Sequence, residues 1–446
     1  MNLLNHTSIT WINRPYFDLG TFDSGSWHLM GIEYCSKRLI DNTATISPVT
    51  LIHPISFRES LIRETKLFQY QISNPLQLPP DLRTERWKIL CEYLSNYQNL
   101  QPNTQLIVVN LLSSLCLHEA VLEYIPETVD PDISHHPDLA SLAYSRAMSK
   151  LMVQPNTGTL ENLKEFENIV DRSPLGSKVR FGSSIQLVAL FGKTFRDLES
   201  TEYWRNEAVK ELDRLKSSVG NFTLKRLTSV YYRAAVFAPI IKKNKEIVIR
   251  EMDLCESLAE ELIHESKNDA EQLAAHENLT TVFESRTKEA LWLGDIDLAE
   301  ERAKKMIKME PLYSRYRLQL GEILIKQGKV EEASKIYRSA ARLGPPGTSI
   351  AWFMAGQCHE KMGDIDIACD CYLASVQMDE LAISAVERLH YLAPQLGNSA
   401  LANWSTARLQ ELKEQQKQIA SQPRTSYIPE ASSGLKLAGE KALALG

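Results

Sequence analysis

The sequence predicts an all-α protein, a right-handed α–α superhelix of stacked helix pairs with a small irregular or mixed N-terminal segment. Two observations lead to this prediction. Several residue types recur every 34 or 35 residues in the C-terminal half, and amphipathic helical patterns fill most of the remainder. Periods of this length are typical of helical repeats, in which each helix pair buries its apolar stripe against the next pair.

Composition and charge narrow the class of protein further. Of 446 residues, 43% are hydrophobic and 24% are charged, so the chain is able to bury a large core. The net charge of −6 argues against nucleic acid as a partner, since nucleic-acid-binding domains are usually basic. The most apolar stretch, Gln105–Leu122, is interrupted by polar residues, and we expect no membrane insertion. Seven cysteines without a recognisable signal peptide favour a reducing, cytoplasmic location.

Five regions follow one another along the chain. Residues 1–80 are rich in Thr, Ser, Trp and Tyr, and we expect short strands or an irregular cap there. Residues 81–279 form a degenerate helical-repeat region, residues 280–382 hold three clear repeats, residues 383–420 form closing helices, and residues 421–446 form a flexible tail. In the degenerate region, turn residues separate one amphipathic pattern from the next. These patterns predict helices at Arg83–Tyr97, Asn103–Tyr124, Pro137–Met152, Thr159–Val170, Ser177–Asp197, Glu202–Lys216, Thr223–Lys243 and Lys245–Glu265.

The three clear repeats show their period in several residue types at once. The hexamer GDIDLA at Gly294–Ala299 returns as GDIDIA at Gly363–Ala368. In the second unit, Gly328 ends the first helix, and Ala333 and Tyr337 lie on one stripe of the second helix. The small Gly321 allows the two helices of that unit to approach closely.

These residues resemble the tetratricopeptide repeat, whose pattern is Trp-x2-Leu-Gly-x2-Tyr, then Ala-x3-Phe, then Pro. The matching residues of the second unit are Leu320, Gly321, Ala333, Tyr337 and Pro345, and those of the third are Trp352, Gly356, Ala368 and Tyr372. The first unit keeps Gly294, Ala299 and Pro311 but has Thr287 where the helix-contact glycine is usual. The resemblance covers roughly a quarter of the chain.

The resemblance also implies a binding surface, because the first helix of each tetratricopeptide unit lines a concave groove. It places these residues in the groove: Glu284, Lys288, Leu291, Arg315, Leu318, Glu322, Ile325, Ile350, Phe353, Gln357 and Glu360. Apolar anchors among mixed charges suit an extended or helical peptide. The alternative is that some of these faces pack on a neighbouring helix or on the tail. Glutamates at 284, 322 and 360 argue against the family's clamp for a C-terminal carboxylate.

The sequence motifs that could indicate catalysis, phosphate binding or metal binding are incomplete. The segment Phe191–Thr194 lacks the earlier glycine of a phosphate loop, and His118-Glu119 and His276-Glu277 lack the second histidine of a zinc protease. A cluster of Cys358, His359, Cys369 and Cys371 and an acidic, histidine-containing turn at residues 130–138 are better explained by packing and by a polar turn. We therefore expect no catalytic residues, no metal and no cofactor.

The function that the sequence favours is a non-catalytic scaffold or adaptor that binds a protein or peptide. One alternative is an accessory subunit or regulator of an enzyme complex. Another is an enzyme that uses the N-terminal segment. A DNA-binding regulator is disfavoured because the N-terminal segment is not basic and shows no recognition helix.

Overall fold

The described part of the chain is almost wholly helical and contains no strand. The structure is a computed structural model, and it describes residues 74–83, 85–114, 117–125, 137–153, 160–309, 313–343, 347–379 and 381–421. Residues 1–73 of the predicted N-terminal cap, the prolines Pro311 and Pro345 and the predicted tail beyond residue 421 lie outside these ranges. The described residues form two compact units, 74–302 and 303–421.

The first unit is a succession of helices with short connections. Short 3-10 turns at Pro75–Gln77, Pro80–Leu82 and Tyr97–Asn99 flank the first α-helix. The α-helices are α1 (Glu85–Ser95), α2 (Pro102–Ser114), α3 (His118–Tyr124), α4 (Pro137–Val153), α5 (Leu160–Arg172), α6 (Lys178–Ala189), α7 (Leu198–Leu215), α8 (Asn221–Ala235), α9 (Phe237–Ile241), α10 (Lys245–Glu265) and α11 (Asp269–Leu293). Helix α10 has the bounds that the sequence predicts.

Three predicted helices are wrong in their extent. The single helix expected over Asn103–Tyr124 is two helices, α2 and α3. The helix expected over Thr223–Lys243 ends at Ala235, because Pro239 has no N–H to donate to the carbonyl of that residue. The helix expected over Ser177–Asp197 changes to a π-helix at Leu190–Phe195 and ends where Arg196 takes a left-handed conformation.

The repeats continue from α11 into the second unit. Helix α12 (Ile296–Met309) runs across the division between the units, and the second unit contains α13 (Ser314–Lys326), α14 (Val330–Arg342), α15 (Thr348–Met362), α16 (Ile365–Met378), α17 (Ile383–Leu392) and α18 (Ser399–Ser421). Each helix of α13–α18 packs on the next one along the chain. The all-α, helical-repeat fold predicted from the sequence is therefore confirmed for the described residues.

Glycine and small side chains set the spacing within each repeat. Gly294 and Gly363 end α11 and α15 with positive φ angles of 87°, which an L side chain rarely adopts. On the second helices, Ala333 and Tyr337 of α14 and Tyr372 of α16 are 0% exposed. Tyr337 and Tyr372 fill the space beside Gly321 and Gly356 of the first helices, so the predicted register of the repeats is confirmed.

Candidate functional site

Helix α13 presents a mixed face that folding leaves uncovered. Arg315, Leu318, Glu322 and Ile325 follow one another at helical spacing on this face. Arg315 and Glu322 are exposed, and Leu318 and Ile325 are half-buried. The opposite face, which includes Leu320 and Leu324, is buried against the rest of the unit. The predicted residues of α13 thus form one accessible strip with two apolar side chains between charged ones.

Helix α15 continues this strip only in part. Ile350 and Gln357 are half-buried. Leu318 lies against the start of α15, since a Cβ at Gly347 would stand 2.8 Å from its Cδ1 atom. The prediction that Phe353 offers groove surface is corrected, because Phe353 is only 6% exposed and its ring packs 5.4 Å from that of Tyr372. Its neighbours on α15 are buried on nearly every side, so the phenylalanine belongs to the core.

The Glu322 side chain is exposed, yet its surroundings disfavour the negative charge of its carboxylate. Its side chain reaches solvent, yet burial by the surrounding protein raises the pKa of its carboxyl, against the weaker effect of nearby Lys326. Both observations agree if the carboxylate sits on a concave surface, where water reaches it from one side only. The exposed carboxylate remains open to a ligand. It accepts no hydrogen bond within the described residues.

Helix α17 adds two residues that the sequence analysis missed. Glu360 of α15 accepts a hydrogen bond from the Tyr372 hydroxyl (2.8 Å) and pairs with Arg388 of α17. The Arg388 guanidinium lies 5.1 Å from the ring centroid of Tyr391, which is 60% exposed. Arg388 stands 35 residues after Phe353, so the repeat period itself pointed to this position. Glu360, expected to line the groove, therefore holds α17 against α15 and α16.

Glu284 and Lys288 lie on α11 in the first compact unit. Their side chains form an ion pair of 2.5 Å, one turn apart on the helix. Glu284 is half-buried and Lys288 is exposed. Exposed pairs of this kind contribute little to stability.

The residues of the incomplete phosphate-binding and metal-binding motifs make structural contacts wherever the structure describes them. Gly192 of the segment Phe191–Thr194 is buried against Phe237, within the π-helix. The His118 ring lies 3.1 Å from the Ser149 hydroxyl. His359 lies 3.0 Å from the Ser334 hydroxyl and 3.2 Å from an Asp364 carboxylate oxygen, which ties two repeats together. The turn at residues 130–138 is described only from Pro137 onward.

Among the described residues, no three or more His, Cys, Asp or Glu side chains are grouped so that they could hold a metal ion. Within the same ranges, every helix is too short or too polar to cross a membrane.

Comparison with solved structures finds helical proteins of similar length. The human IFIT1 dimer with PPP-AAAA shares 13% identity over 91% of this chain and 96% of its own, with a TM-score of 0.40. The APC/C hetero-tetramer Cut9–Hcn1 shares 14% identity over 94% of this chain and 85% of its own, with a TM-score of 0.27. Scores this low carry no argument about function. No curated protein matches the chain.

Family models identify the repeats in the sequence. Two models, both described as tetratricopeptide repeat, match residues 288–348 and residues 350–380. The matches cover α12–α16 and the end of α11, where the glycines, alanines and tyrosines recur. Residues 288–348 and 350–380 of this chain thus contain tetratricopeptide repeats.

Proposed function

We propose that the chain is a non-catalytic scaffold that binds a protein or peptide on the strip formed by α13 and α15. Tetratricopeptide repeats generally mediate contacts between proteins, which supports a role of this kind. The observation that carries the proposal is the face of α13, where the partly exposed Leu318 and Ile325 alternate with the exposed Arg315 and Glu322. Apolar anchors supply binding energy, and the charges around them select the partner.

The chemistry of the strip favours a peptide with apolar anchor residues. Leu318 and Ile325 are seven residues apart on one helix and share a face. Ile350, half-buried near the start of α15, extends the apolar part of the strip toward the next repeat. A cytoplasmic location belongs to the same proposal, because the five cysteines of the described residues are free and buried.

The test is to remove the two apolar anchors in the full chain. Leu318→Ala with Ile325→Ala should remove the proteins that co-purify with the wild type, as identified by mass spectrometry, while the melting temperature changes little. Leu320→Ala is the matched control on the opposite face, because Leu320 is 2% exposed. It should lower stability by about 2–5 kcal/mol. Retained partners together with a collapsed melting temperature in the double variant would reject the strip as a binding surface.

A further inference from the structure

Helix α8 carries two arginines that no carboxylate holds. Arg226 and Arg233 are seven residues apart, so they share a face of α8 about 10 Å apart along the helix axis. Both are half-buried, and neither makes a hydrogen bond or an ion pair with any residue of the described ranges. Val230, also half-buried, lies between them on the same stripe. Along this stripe, the apolar side chain of Val230 thus lies between two guanidinium groups.

The other half-buried arginines and lysines described in this unit have hydrogen-bond or ion-pair partners, unlike Arg226 and Arg233. Arg205 pairs with Glu251, and Arg180 pairs with Glu211 at 3.0 Å. On α8 itself, Lys225 reaches Glu261 of α10 at 2.7 Å and pairs with Glu265 as well. Buried or half-buried arginines are rarely left without such partners, because a charge removed from water costs free energy unless another group compensates it. Neither Arg226 nor Arg233 forms such an ion pair within the described residues.

The surroundings of Arg233 leave its charge poorly hydrated. Burial lowers the pKa of Arg233, and attraction from the Cys255 thiol and the Glu284 carboxylate opposes this only in part. An arginine stays protonated in proteins, so the effect appears as an unfavourable charge rather than as loss of a proton. Glu284 is within ion-pair distance of Lys288 instead. A ligand that brings its own anion would relieve this cost.

We propose that Arg226 and Arg233 bind an acidic helical segment of a partner protein. Its two carboxylates would lie two turns apart, with an apolar side chain between them to meet Val230. A second helix with acidic residues at i and i+7 has the same axial spacing as the two arginines. Each guanidinium is able to donate two parallel hydrogen bonds to a carboxylate, and such bonds are stronger than neutral ones. This site lies in the first compact unit and does not depend on the proposed strip of α13 and α15.

The observations favour a carboxylate peptide over a nucleic acid. Single-stranded nucleic acid is bound by a continuous basic groove with aromatic stacking platforms. Here an apolar valine separates the two cations, and the Glu284 carboxylate acts on one of them. A phosphate backbone carries charge along its whole length, whereas the two guanidinium groups match two separate carboxylates.

The experiment measures binding of a synthetic, alanine-rich helical peptide that carries Glu, Leu and Glu at positions i, i+4 and i+7. With the full chain, Arg233→Gln should weaken binding about tenfold or more, since one charge-assisted pair is lost. The double variant Arg226→Gln, Arg233→Gln should abolish it. Lys225→Gln is the matched control, because it removes one positive charge from the same helix, and it should leave the affinity within about twofold. A peptide with Gln in place of both Glu residues should not bind.

Stability gives a second readout. Arg233→Gln should leave the melting temperature unchanged or raise it, because the charge it removes has no partner in the free protein. Arg286→Gln should lower it, since Arg286 is held by Asp253, Glu256 and Glu289. The proposal is overturned if the wild type does not bind the peptide at millimolar concentration, or if Arg233→Gln binds it as well as the wild type. A melting temperature of Arg233→Gln as low as that of Arg286→Gln, or tighter binding of a short single-stranded RNA than of the peptide, would also overturn it.

Discussion

Gly356 of α15 lies directly against the ring of Tyr372 of α16. A Cβ atom at position 356 would stand 2.7 Å from Cε1 of the tyrosine. The same relationship recurs one repeat earlier, where a Cβ at Gly321 would stand 2.9 Å from Cδ1 of Tyr337. Separations below 3 Å do not occur between real Cβ atoms and their neighbours, so in both repeats the two helices approach as closely as a glycine allows.

We therefore expect even a single added methyl group to destabilise these repeats. Gly321→Ala and Gly356→Ala should each lower the free energy of unfolding by about 1–3 kcal/mol, because the rigid tyrosine ring is buried and has to shift. Urea unfolding followed by circular dichroism measures this. Gly220→Ala is the control, because a Cβ there meets no atom within 4 Å, and it should change stability by less than about 1 kcal/mol. Unchanged midpoints for both repeat variants would show that the close contact is not maintained in solution.

The register of the repeats was predictable because each repeated residue is required for its size. Gly321 and Gly356 permit the close approach, and Tyr337 and Tyr372 fill the space beside them. Such requirements leave the same residue type at the same place in each unit. The sequence alone therefore identifies helix pairs and their order in residues 280–382.

The binding strip was less predictable, because exposure depends on neighbours that a period does not reveal. Phe353 stands one period after Leu318, yet it is buried while Leu318 remains half-exposed. Helix α15 is covered by α14 on one side and α16 on the other, so most of its surface is core. Arg388, one further period along, is only partly exposed and pairs with Glu360. The same position of the repeat thus packs into the core in one repeat and remains at the surface in another.

The Glu360 carboxylate should contribute to stability because it joins three helices. It accepts hydrogen bonds from Tyr372 Oη at 2.8 Å and from Arg388 Nε at 3.1 Å. Glu360→Ala should lower the free energy of unfolding by about 1–3 kcal/mol, since it leaves a buried hydroxyl and a guanidinium without their acceptor. Glu331→Ala is a matched control, because Glu331 pairs with Lys335 at 2.7 Å but both side chains are largely exposed. Its effect should stay below about 0.5 kcal/mol. Equal effects of the two substitutions would contradict the joining role of Glu360.

Glu251 should make stability depend on pH in a specific direction. Burial raises the pKa of Glu251 above the usual 4.5, in spite of the attraction from Arg205. The folded protein therefore holds this proton more tightly than the unfolded chain does. Its contribution to stability is then fully present below about pH 4.5 and is lost as the pH rises through the folded-state pKa.

Comparison with Glu251→Gln isolates this contribution. Both proteins are unfolded by urea at several values between about pH 4.5 and pH 7, where the other carboxylates contribute equally to each. The stability of the wild type relative to Glu251→Gln should fall as the pH rises. A difference that stays constant or grows with pH would mean that the Arg205 ion pair outweighs burial, and that the pKa of Glu251 is not raised.

Tyr391 should extend the binding strip of the second unit onto α17. The tyrosine is 60% exposed, and the Arg388 guanidinium lies 5.1 Å from its ring centroid. Arg388 is in turn held by Glu360, which follows Gln357 by three residues on α15. The aromatic ring is thus oriented by a chain of contacts that begins on α15. Exposed, pre-oriented tyrosines are common among the residues that dominate binding energy at protein interfaces.

Tyr391→Ala tests this extension in the full chain. The melting temperature should hardly change, because most of the side chain lies in solvent. Affinity for the partner that Leu318 and Ile325 bind should fall by about tenfold or more, which corresponds to a contribution above 1 kcal/mol. Tyr203→Ala provides the control, since Tyr203 is exposed to nearly the same extent, 57%, but lies in the first compact unit. Should Tyr391→Ala keep the partner that Leu318→Ala with Ile325→Ala loses, the strip ends at α15. Loss of the partner in the Tyr391 and Tyr203 variants alike would instead show that any exposed tyrosine matters, and that α17 has no special part in binding.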